Sequence, residues 1–333
     1  MTTASVLFTV TTSWTVTSEK VDKEGCIALT TKSIAAEAAK ELRETNSTRE
    51  QGLRLMRNWI QQNPDIKNVR QDEAFLLRFL RHKKYSIPMA QQTLLKYLSL
   101  RSYYPEIFKN LDCEDKTLQD IINDGYIAVS PVRDSKGRRV IVYNINNLNS
   151  TKYNCWDMCR VHALVYESLL DDPMDQICGF NHIGDGTGVC SGHITSWNPS
   201  DFARLIKWGE QSLPMRHKEF HLINIPSAIK YIIDFAMTRV SPKMSERLHI
   251  YSNIKSLNKN MDKSCLPKQF GGELSFDDMI QYTKKIISDK RQAVLDLNKM
   301  EILSTKGIIS SRRPNIKPNA DSVEGSFRKL EID

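Results

Sequence analysis

Beyond Leu118 the chain alternates short apolar segments with segments of helical periodicity, and this alternation limits the fold more than any other feature. Two apolar runs, at 127–132 and 139–145, flank a turn sequence that ends in Gly137 and predict a β-hairpin. Further strands are predicted at 176–183, 189–194, 218–224 and 247–252, and helices at 156–170, 199–212 and about 276–297. Strands alternating with helices are typical of an α/β fold with a mixed, mostly parallel sheet.

The residues before Leu118 carry helical patterns only. Periodic apolar side chains predict helices at 34–42, 48–62, 72–82 and from Pro88 to about Tyr103. Residues 1–30 are rich in Thr and Ser without periodicity, and residues 299–333 mix Lys and Arg with Pro, Asn, Ser and Gly, a composition typical of disorder. The predicted organisation is a flexible leader at 1–30, a helical domain at 31–115, an α/β domain at 116–298 and a disordered basic tail at 299–333.

Composition excludes several classes of protein. No run approaches 18 consecutive apolar residues, and the apolar stretch at 5–10 lacks the basic flank of a signal peptide, so we expect a cytoplasmic protein. The seven cysteines are scattered and odd in number, which favours reduced thiols over a disulfide framework. No metal site is predicted, because no Cys or His motif with ligand spacing accompanies Cys155 and Cys159.

Net charge is +8 with a pI near 9.0, so an anionic partner is expected. Arg216 and Lys218 lie two apart at the start of a predicted strand and therefore point to the same side of the sheet. Arg204 and Lys207 lie on the preceding helix, opposite its apolar face. If that helix packs beside the strand, these cations form one patch suited to phosphates; the alternative is a solvated surface row.

An amphipathic helix follows this strand. Its apolar residues recur at 3.6-residue spacing and form one stripe, whose members are Ile229, Ile232, Ile233, Ala236, Met237 and Val240. A basic cluster beside such a stripe indicates a protein that handles lipids. Nucleic acid is not expected as a partner, because the cations adjoin an apolar helix and not the aromatic side chains on which bases stack.

Catalytic motifs are not found. The chain has no GxSxG elbow and no phosphatase-type cysteine context, and His221 lies within an apolar strand, where a core hydrogen bond is the better interpretation. The segment Gly184-Asp-Gly-Thr-Gly188 is interpreted as a turn between strands, since it lacks the spacing of a nucleotide-binding loop. The chain is therefore predicted not to be an enzyme.

Over residues 48–290 the chain resembles the CRAL-TRIO lipid-transfer family, in the branch that contains alpha-tocopherol transfer protein and cellular retinaldehyde-binding protein. Four segments carry the resemblance in this order: Phe75-Leu-Leu-Arg-Phe-Leu-Arg81 with Lys83, Gly137-Arg-Arg-Val-Ile-Val-Tyr143, His221-Leu-Ile-Asn-Ile-Pro226, and Leu266-Pro-Lys-Gln-Phe-Gly-Gly272. The chain departs from the family pattern at 182–188, where the strand end differs, and at Phe270, where Tyr is usual.

The resemblance implies a cavity floored by the sheet and closed by a helical gate at about 227–244. It assigns cavity and gate residues as follows: Val165, Leu169, Ile183, Ile194, Leu205, Ile229, Ile233, Phe235 and Met237. It also implies a phosphoinositide headgroup site, whose matching positions are Lys83, Arg204, Arg216 and Lys218.

The function implied by the resemblance is that of an intracellular carrier. It would bind one tocopherol- or retinoid-like lipid, need no other cofactor, and deliver the lipid to phosphoinositide-containing membranes by peripheral, reversible contact, as a monomer. Two alternatives stay open: a phosphatidylinositol or phospholipid exchange protein, and a lipid-regulated scaffold that transfers nothing.

Overall fold

The computed structural model describes residues 31–195 and 199–309 of the chain. Its α-helices are α1 Thr31–Leu42, α2 Asn46–Gln62, α3 Glu73–His82, α4 Ile87–Tyr103, α5 Pro105–Phe108, α6 Lys116–Asn123, α7 Cys155–Leu169, α8 Pro173–Cys178, α9 Ser191–Thr195, α10 Pro199–Ser212, α11 Ser227–Met237, α12 Pro242–Ser245, α13 Ile254–Leu257, α14 Phe276–Asp289 and α15 Arg291–Asp296. Its strands are β1 Ile66–Lys67, β2 Ile127–Val129, β3 Arg139–Asn144, β4 Phe180–Asp185, β5 His217–Ile223, β6 Leu248–Tyr251 and β7 Glu301–Ile302. The predicted leader at 1–30 lies outside the described residues.

Five strands form one sheet in the order β2-β3-β4-β5-β6. β2 and β3 pair antiparallel, and the other neighbours pair parallel. The predicted hairpin closes where the Gly137 N–H donates to the Asp134 carbonyl at 2.8 Å, with Gly137 in the left-handed region at a φ of 74°. The predicted α/β class with a mixed, mostly parallel sheet is therefore confirmed.

The N-terminal helices build a core of their own. The rings of Phe75, Phe79 and Tyr97 pack edge to face, with centroids 5.2 to 6.2 Å apart. From α3, the guanidinium of Arg78 reaches Glu167 on α7 at 2.7 Å and Asp171 at 2.6 Å. Buried ion pairs thus join the helical region to the helices that cover the sheet.

Residues 299–309 differ from the predicted disordered tail. β7 pairs antiparallel with β1, which aligns Ile302 with Ile66, and the Leu303 N–H donates to the Asp65 carbonyl at 2.7 Å. Ile302 and Ile308 pack against the N-terminal core. These apolar side chains hold the segment in place. The prediction of disorder rested on the average composition of the whole tail, in which two isoleucines have little weight. Residues 310–333 lie outside the described part of the chain.

Two predicted strands also differ. Helix α8 occupies the start of the predicted strand at 176–183, because Asp172 caps it by accepting from the Asp175 N–H and Pro173 suits its first turn. Gly179, at a φ of 85°, ends the helix, and β4 begins at Phe180. The predicted strand at 189–194 is replaced by the short helix α9.

The predicted gate at 227–244 forms two helices. α11 ends at Met237, and α12 begins at Pro242 with Ser241 as its N-cap. Proline cannot donate the backbone hydrogen bond that would continue the first helix, so a break falls before it. The predicted C-terminal helix likewise divides at Lys290 into α14 and α15.

Candidate functional site

A cavity of about 480 Å³ lies between the sheet and the helices α7, α10 and α11. Strands β4 and β5 contribute His182, Gly184, Phe220 and Leu222 to its floor. Apolar side chains form most of the remaining wall. The arrangement is an apolar cavity of the kind that binds small lipophilic molecules.

Four predicted cavity residues line this volume. They are Leu205 on α10 and Ile229, Ile233 and Met237 on α11. The stripe that the periodicity predicts on α11 therefore faces the cavity that the resemblance implies, and Ala236 on the same helix is fully buried.

Val165, Leu169 and Ile183, also predicted at the cavity, lie instead in the hydrophobic core, where they are 0, 2 and 0% exposed. Ile183 stands between His182 and Gly184, so the alternation of side chains along β4 turns it to the opposite face of the sheet. Val165 lies off the face of α7 that lines the cavity. Leu169 ends α7 one turn after Tyr166, beyond the last residue of the helix that lines the cavity.

Phe235, the remaining predicted gate residue on α11, is half-buried but is not part of the cavity wall. The guanidinium of Arg239 lies 5.0 Å from its ring centroid. The side chains of Ile194 and Arg204, predicted at the cavity and at the headgroup site, lie outside the described part of the structure.

The cavity wall holds a chain of hydrogen-bonded tyrosines and histidines, here called the Tyr–His chain. The Tyr126 hydroxyl lies 2.7 Å from Nε2 of His162, and Nδ1 of His162 lies 3.1 Å from the Tyr166 hydroxyl. The hydroxyls of Tyr166 and Tyr143 are 2.7 Å apart. All four residues line the cavity.

The Tyr–His chain continues across the sheet. The Tyr143 hydroxyl lies 2.8 Å from Nδ1 of His182, and Nε2 of His182 lies 2.8 Å from Nδ1 of His217. The His182 ring also stacks on Phe220, with centroids 4.5 Å apart. Five hydrogen bonds therefore link six side chains, from Tyr126 to His217.

Burial keeps the Tyr–His chain uncharged near neutral pH. It lowers the pKa of His162 and of His217 to about 4, in the latter case with help from Arg247, and it sets the pKa of His182 well below 6.5. Burial also raises the pKa of the Tyr126 and Tyr143 hydroxyls well above 10. The chain thus offers neutral donors and acceptors inside an apolar wall.

Among the described residues that line the cavity there is no Lys or Arg. Three carboxylates do line it: Glu167, Asp185 and Glu210. Glu167 is already occupied, since it pairs with Arg78 and accepts from the Tyr97 hydroxyl at 2.6 Å. An anion inside this cavity would meet no described cation.

A second, polar pocket of about 240 Å³ adjoins the cavity and is here called the basic cleft. Its cationic residues are Lys83, Lys84, Arg216, Lys218, Lys243 and Arg247, and its carboxylates are Glu41 and Glu210. The structure thus brings together three of the four predicted headgroup residues. It adds Lys84, Lys243 and Arg247, which sequence spacing alone does not connect.

The turn after α3 aims Lys83 into the cleft. Lys84 and Tyr85 adopt left-handed backbone at φ values of 50° and 60°, and the Tyr85 N–H donates to the Leu80 carbonyl at 2.8 Å. Burial, with the neighbouring charge of Lys96, lowers the pKa of Lys83. An anion bound beside Lys83 would favour its charged form and so raise its pKa again.

Arg216, which directly precedes β5, and Lys218 on β5 project to the same side, as predicted. Arg216 Nη1 donates to the Ile177 carbonyl at 2.8 Å, which fixes its guanidinium at the end of α8. Its Nη2 and the ammonium of Lys218 both donate to Oε2 of Glu41 on α1, at 3.0 and 3.1 Å. The hydrogen bond from Lys218 is the main cause of a lowered pKa for Glu41.

Two histidines line the basic cleft, and one of them also lines the cavity. His217 belongs to the wall of both pockets, as do Glu210 and Met244. His82 lines the basic cleft, and its Nδ1 is buried without a hydrogen-bond partner among the described residues. An unpartnered ring nitrogen beside six cations suits a ligand that carries oxygen atoms.

Within residues 31–195 and 199–309, no helix combines the length and apolarity needed to cross a bilayer. The same residues contain no group of three or more His, Cys, Asp or Glu side chains arranged to hold a metal ion.

Comparison with known proteins agrees with this geometry. The profile of the CRAL/TRIO domain matches residues 123–272, and that of the Pinta-like UBA domain matches residues 45–118. An alpha-tocopherol transfer protein-like protein of Mus musculus is 26% identical over 274 residues, which cover 82% of this chain and 79% of that protein. Clavesin-1 of Xenopus laevis is 29% identical over 248 residues, covering 74% of this chain and 75% of the relative.

Among solved structures, the crystal structure of Sfh5 is similar over 74% of this chain and 98% of that chain, with a TM-score of 0.46 and 12% sequence identity. Residues 123–272 form a CRAL/TRIO domain, the domain of the lipid-transfer family that the sequence resembles.

Proposed function

We propose that this protein carries one small neutral lipid in its cavity and delivers it to membranes that display phosphoinositides, which bind at the basic cleft. The observation that carries the proposal is the shared wall: an apolar cavity and a cationic cleft meet at Glu210, His217 and Met244. A molecule in one pocket therefore contacts side chains that also shape the other.

The charge of the cavity supports a neutral cargo over phospholipid exchange. An exchanged phosphatidylinositol would place its phosphate inside the protein, where a buried anion requires a cation or several donors. The described lining offers carboxylates and neutral rings instead. The cations lie in the basic cleft, where a headgroup that stays in the membrane could reach them.

The apolar wall makes cargo release into water slow. A lipid that buries several hundred Å² gains roughly 10 kcal/mol at about 25 cal/mol per Å², before association costs. A membrane removes this barrier if α11 exchanges its contacts with the cargo for contacts with acyl chains. Tyr231, which is 77% exposed on α11, is suited to the membrane interface.

The basic cleft reaches the gate through α12. Ser241, Lys243 and Met244, which line the cleft, follow α11 directly in the chain. A headgroup held by Lys243 would therefore act on the segment that ends the gate. Such a contact would couple docking to opening of the cavity.

A vesicle-to-vesicle transfer assay tests the proposal. Native mass spectrometry and organic extraction of the purified protein first identify the bound molecule. We expect a single neutral lipid, and faster transfer of it when acceptor vesicles contain phosphatidylinositol bisphosphate. Recovery of phospholipid alone would favour the exchange protein, and membrane binding without transfer would favour the scaffold.

Filling the cavity should abolish cargo binding. Gly209 on α10 lines the cavity, and a Cβ placed there would meet only the Leu213 side chain, at 3.9 Å. The Gly209→Trp variant would cover the apolar surface that cargo otherwise buries, so we expect cargo occupancy to fall by about tenfold or more. Occupancy is measured by native mass spectrometry.

Gly209→Ala is the matched control for that variant. It should keep cargo binding and raise the free energy of unfolding by about 0.5–1 kcal/mol, because alanine favours a helix interior over glycine. If Gly209→Trp folds normally and still carries a full complement of cargo, the cavity is not the binding site.

Removing the Glu41 carboxylate should strengthen headgroup binding. Glu41 pairs with Arg216 and Lys218, the positions that a phosphate would take. Since the Glu41 side chain is 35% exposed, the gain should match that of a partly exposed pair, about two- to fivefold in affinity. Flotation of the Glu41→Gln variant with phosphatidylinositol bisphosphate vesicles measures this gain in affinity.

The control is Glu37→Gln, one turn earlier on α1, which makes the same charge change outside the cleft. Binding by this variant should equal that of the unmodified protein. Equal gains in both variants would mean that overall charge, and not Glu41, limits binding.

A further inference from the structure

We propose that the Tyr–His chain is the polar subsite of the cavity and that it selects neutral lipids bearing one oxygen acceptor, a hydroxyl or a carbonyl, over hydrocarbons and lipid anions. This inference rests on the proposed carrier function and names the class of its cargo. The six side chains all line the cavity, and their contacts, between 2.7 and 3.1 Å, form one unbranched series.

The number of protons in the series decides how many hydrogen-bond donors it can offer to a ligand. Three hydroxyls and three neutral imidazoles carry one acidic proton each, so the series holds six protons. Its five hydrogen bonds use five of them. One donor is therefore always left over, whichever way the bonds point.

Continuous alignment of the bonds places this donor at an end of the series. If every bond points towards β5, the free donor is Nε2–H of His217. If every bond points the other way, it is the hydroxyl of Tyr126, which then accepts from His162. Among the described residues, His217 Nε2 has no hydrogen-bond partner, and the Tyr126 hydroxyl has none besides His162.

A free donor in an apolar cavity favours a ligand that supplies an oxygen. A donor left unpaired after the cavity closes loses its hydrogen bond to water, whereas a ligand hydroxyl or carbonyl restores it. A hydrocarbon of the same shape fills the volume but restores nothing. Sites built in this way reject the analogue that lacks the polar group.

The rest of the wall disfavours an anionic oxygen. The described cavity lining has no cation to offset a carboxylate, and Asp185 and Glu210 already contribute negative charge. The cations Arg216 and Lys218 lie in the basic cleft, which shares His217 with the cavity wall. The two pockets therefore differ in charge: the cavity favours a neutral oxygen of a ligand, and the cleft favours an anionic one.

Three flexible probes with the same alkyl chain test the inference: 1-tetradecanol, tetradecane and tetradecanoate. Each is delivered from cyclodextrin to the delipidated full-length protein, alone and in competition, and occupancy is read by native mass spectrometry and extraction. We expect the alcohol to bind about tenfold more tightly than the alkane, the difference that one satisfied buried donor makes. The carboxylate should bind more weakly than the alcohol.

Substitution at the two ends identifies the source of the preference. In Tyr126→Phe/His217→Leu, we expect the preference for the alcohol over the alkane to fall at least threefold. Ile206→Val, at an apolar part of the same wall, should leave the preference unchanged. Because the readout is a ratio of two ligands, a general loss of stability does not imitate the result.

Each other outcome has a distinct meaning. Equal binding of alcohol and alkane, tightest binding of the carboxylate, or an alcohol preference that survives the double substitution would overturn the inference and leave the carrier function standing. Failure of all three probes to bind, with Gly209→Trp indistinguishable from the unmodified protein, would remove the cavity as a binding site and the carrier function with it.

Discussion

Replacing Arg78 by alanine should lower the free energy of unfolding by about 3–5 kcal/mol, the cost of breaking a buried ion pair by removing one partner. Arg78 is 1% exposed, and its guanidinium pairs with Glu167 at 2.7 Å and Asp171 at 2.6 Å. The variant would leave both carboxylates buried with fewer partners. Urea unfolding followed by circular dichroism measures the loss.

The ionisation of Asp171 gives this prediction a pH dependence. Burial alone would raise the pKa of Asp171, but Arg78 and Arg70 outweigh burial and leave it below its ordinary value. A lowered pKa in the folded state means that the stabilisation is present at neutral pH and is lost as the pH falls through that lowered value. The difference between Arg78→Ala and the unmodified protein should therefore shrink in acid.

Arg54→Ala serves as the control for Arg78→Ala. Arg54 lies exposed on α2, so its removal should change stability by no more than about 0.5 kcal/mol. A loss below about 1 kcal/mol for Arg78→Ala would show that the buried ion pairs contribute little to the junction between the helical region and the sheet.

Reversing the charge of Arg216 and Lys218 together should nearly abolish binding to phosphoinositide vesicles. Each basic residue near an anionic surface contributes about 1 kcal/mol, so removing two costs about 2 kcal/mol, and reversal adds a similar repulsion. Together these predict a loss on the order of a thousandfold in affinity. Arg216→Glu/Lys218→Glu would also place two carboxylates beside Glu41.

A matched control separates the cleft from general charge. Lys284→Glu/Lys285→Glu makes the same change of charge at two exposed residues of α14, which packs against β2 at the far edge of the sheet. This variant should keep most of its preference for phosphatidylinositol bisphosphate over phosphatidylserine vesicles. Equal losses in both variants would point to non-specific attraction, and unimpaired cargo transfer by the cleft variant would break the proposed coupling.

Local chemistry made much of the fold predictable. The alternation of strands and helices predicts an α/β sheet, and the turn at Gly137 predicts the β2–β3 hairpin that the structure contains. The predicted elements are wrong where residues that start or break a helix have more influence than the apolar content of the segment. Asp172 and Pro173 start a helix within an apolar segment, and Pro242 divides the gate.

The candidate site was predictable only in part. The stripe on α11 faces the cavity because a helix repeats every 3.6 residues, and Arg216 and Lys218 share a side because a strand repeats every two. Neither period tells which face of a strand meets a cavity and which meets the core. The prediction that Ile183 lines the cavity is therefore wrong: Ile183 lies in the core, and its neighbour His182 lines the cavity.

The sequence by itself determined the class of sheet, the apolar stripe of the gate and the basic side of β5, because each depends on residues close together in the chain. Only the tertiary structure decided that Glu41 would stand between Arg216 and Lys218, and that six residues between Tyr126 and His217 would join into one series of hydrogen bonds. Apart from His162 and Tyr166, which lie one turn apart on α7, the residues in contact are 23 to 177 positions apart in the chain, and no local periodicity records their contacts. Packing of helices on the sheet brings such residues together, and it is there that the cavity and the cleft acquire their separate chemistry.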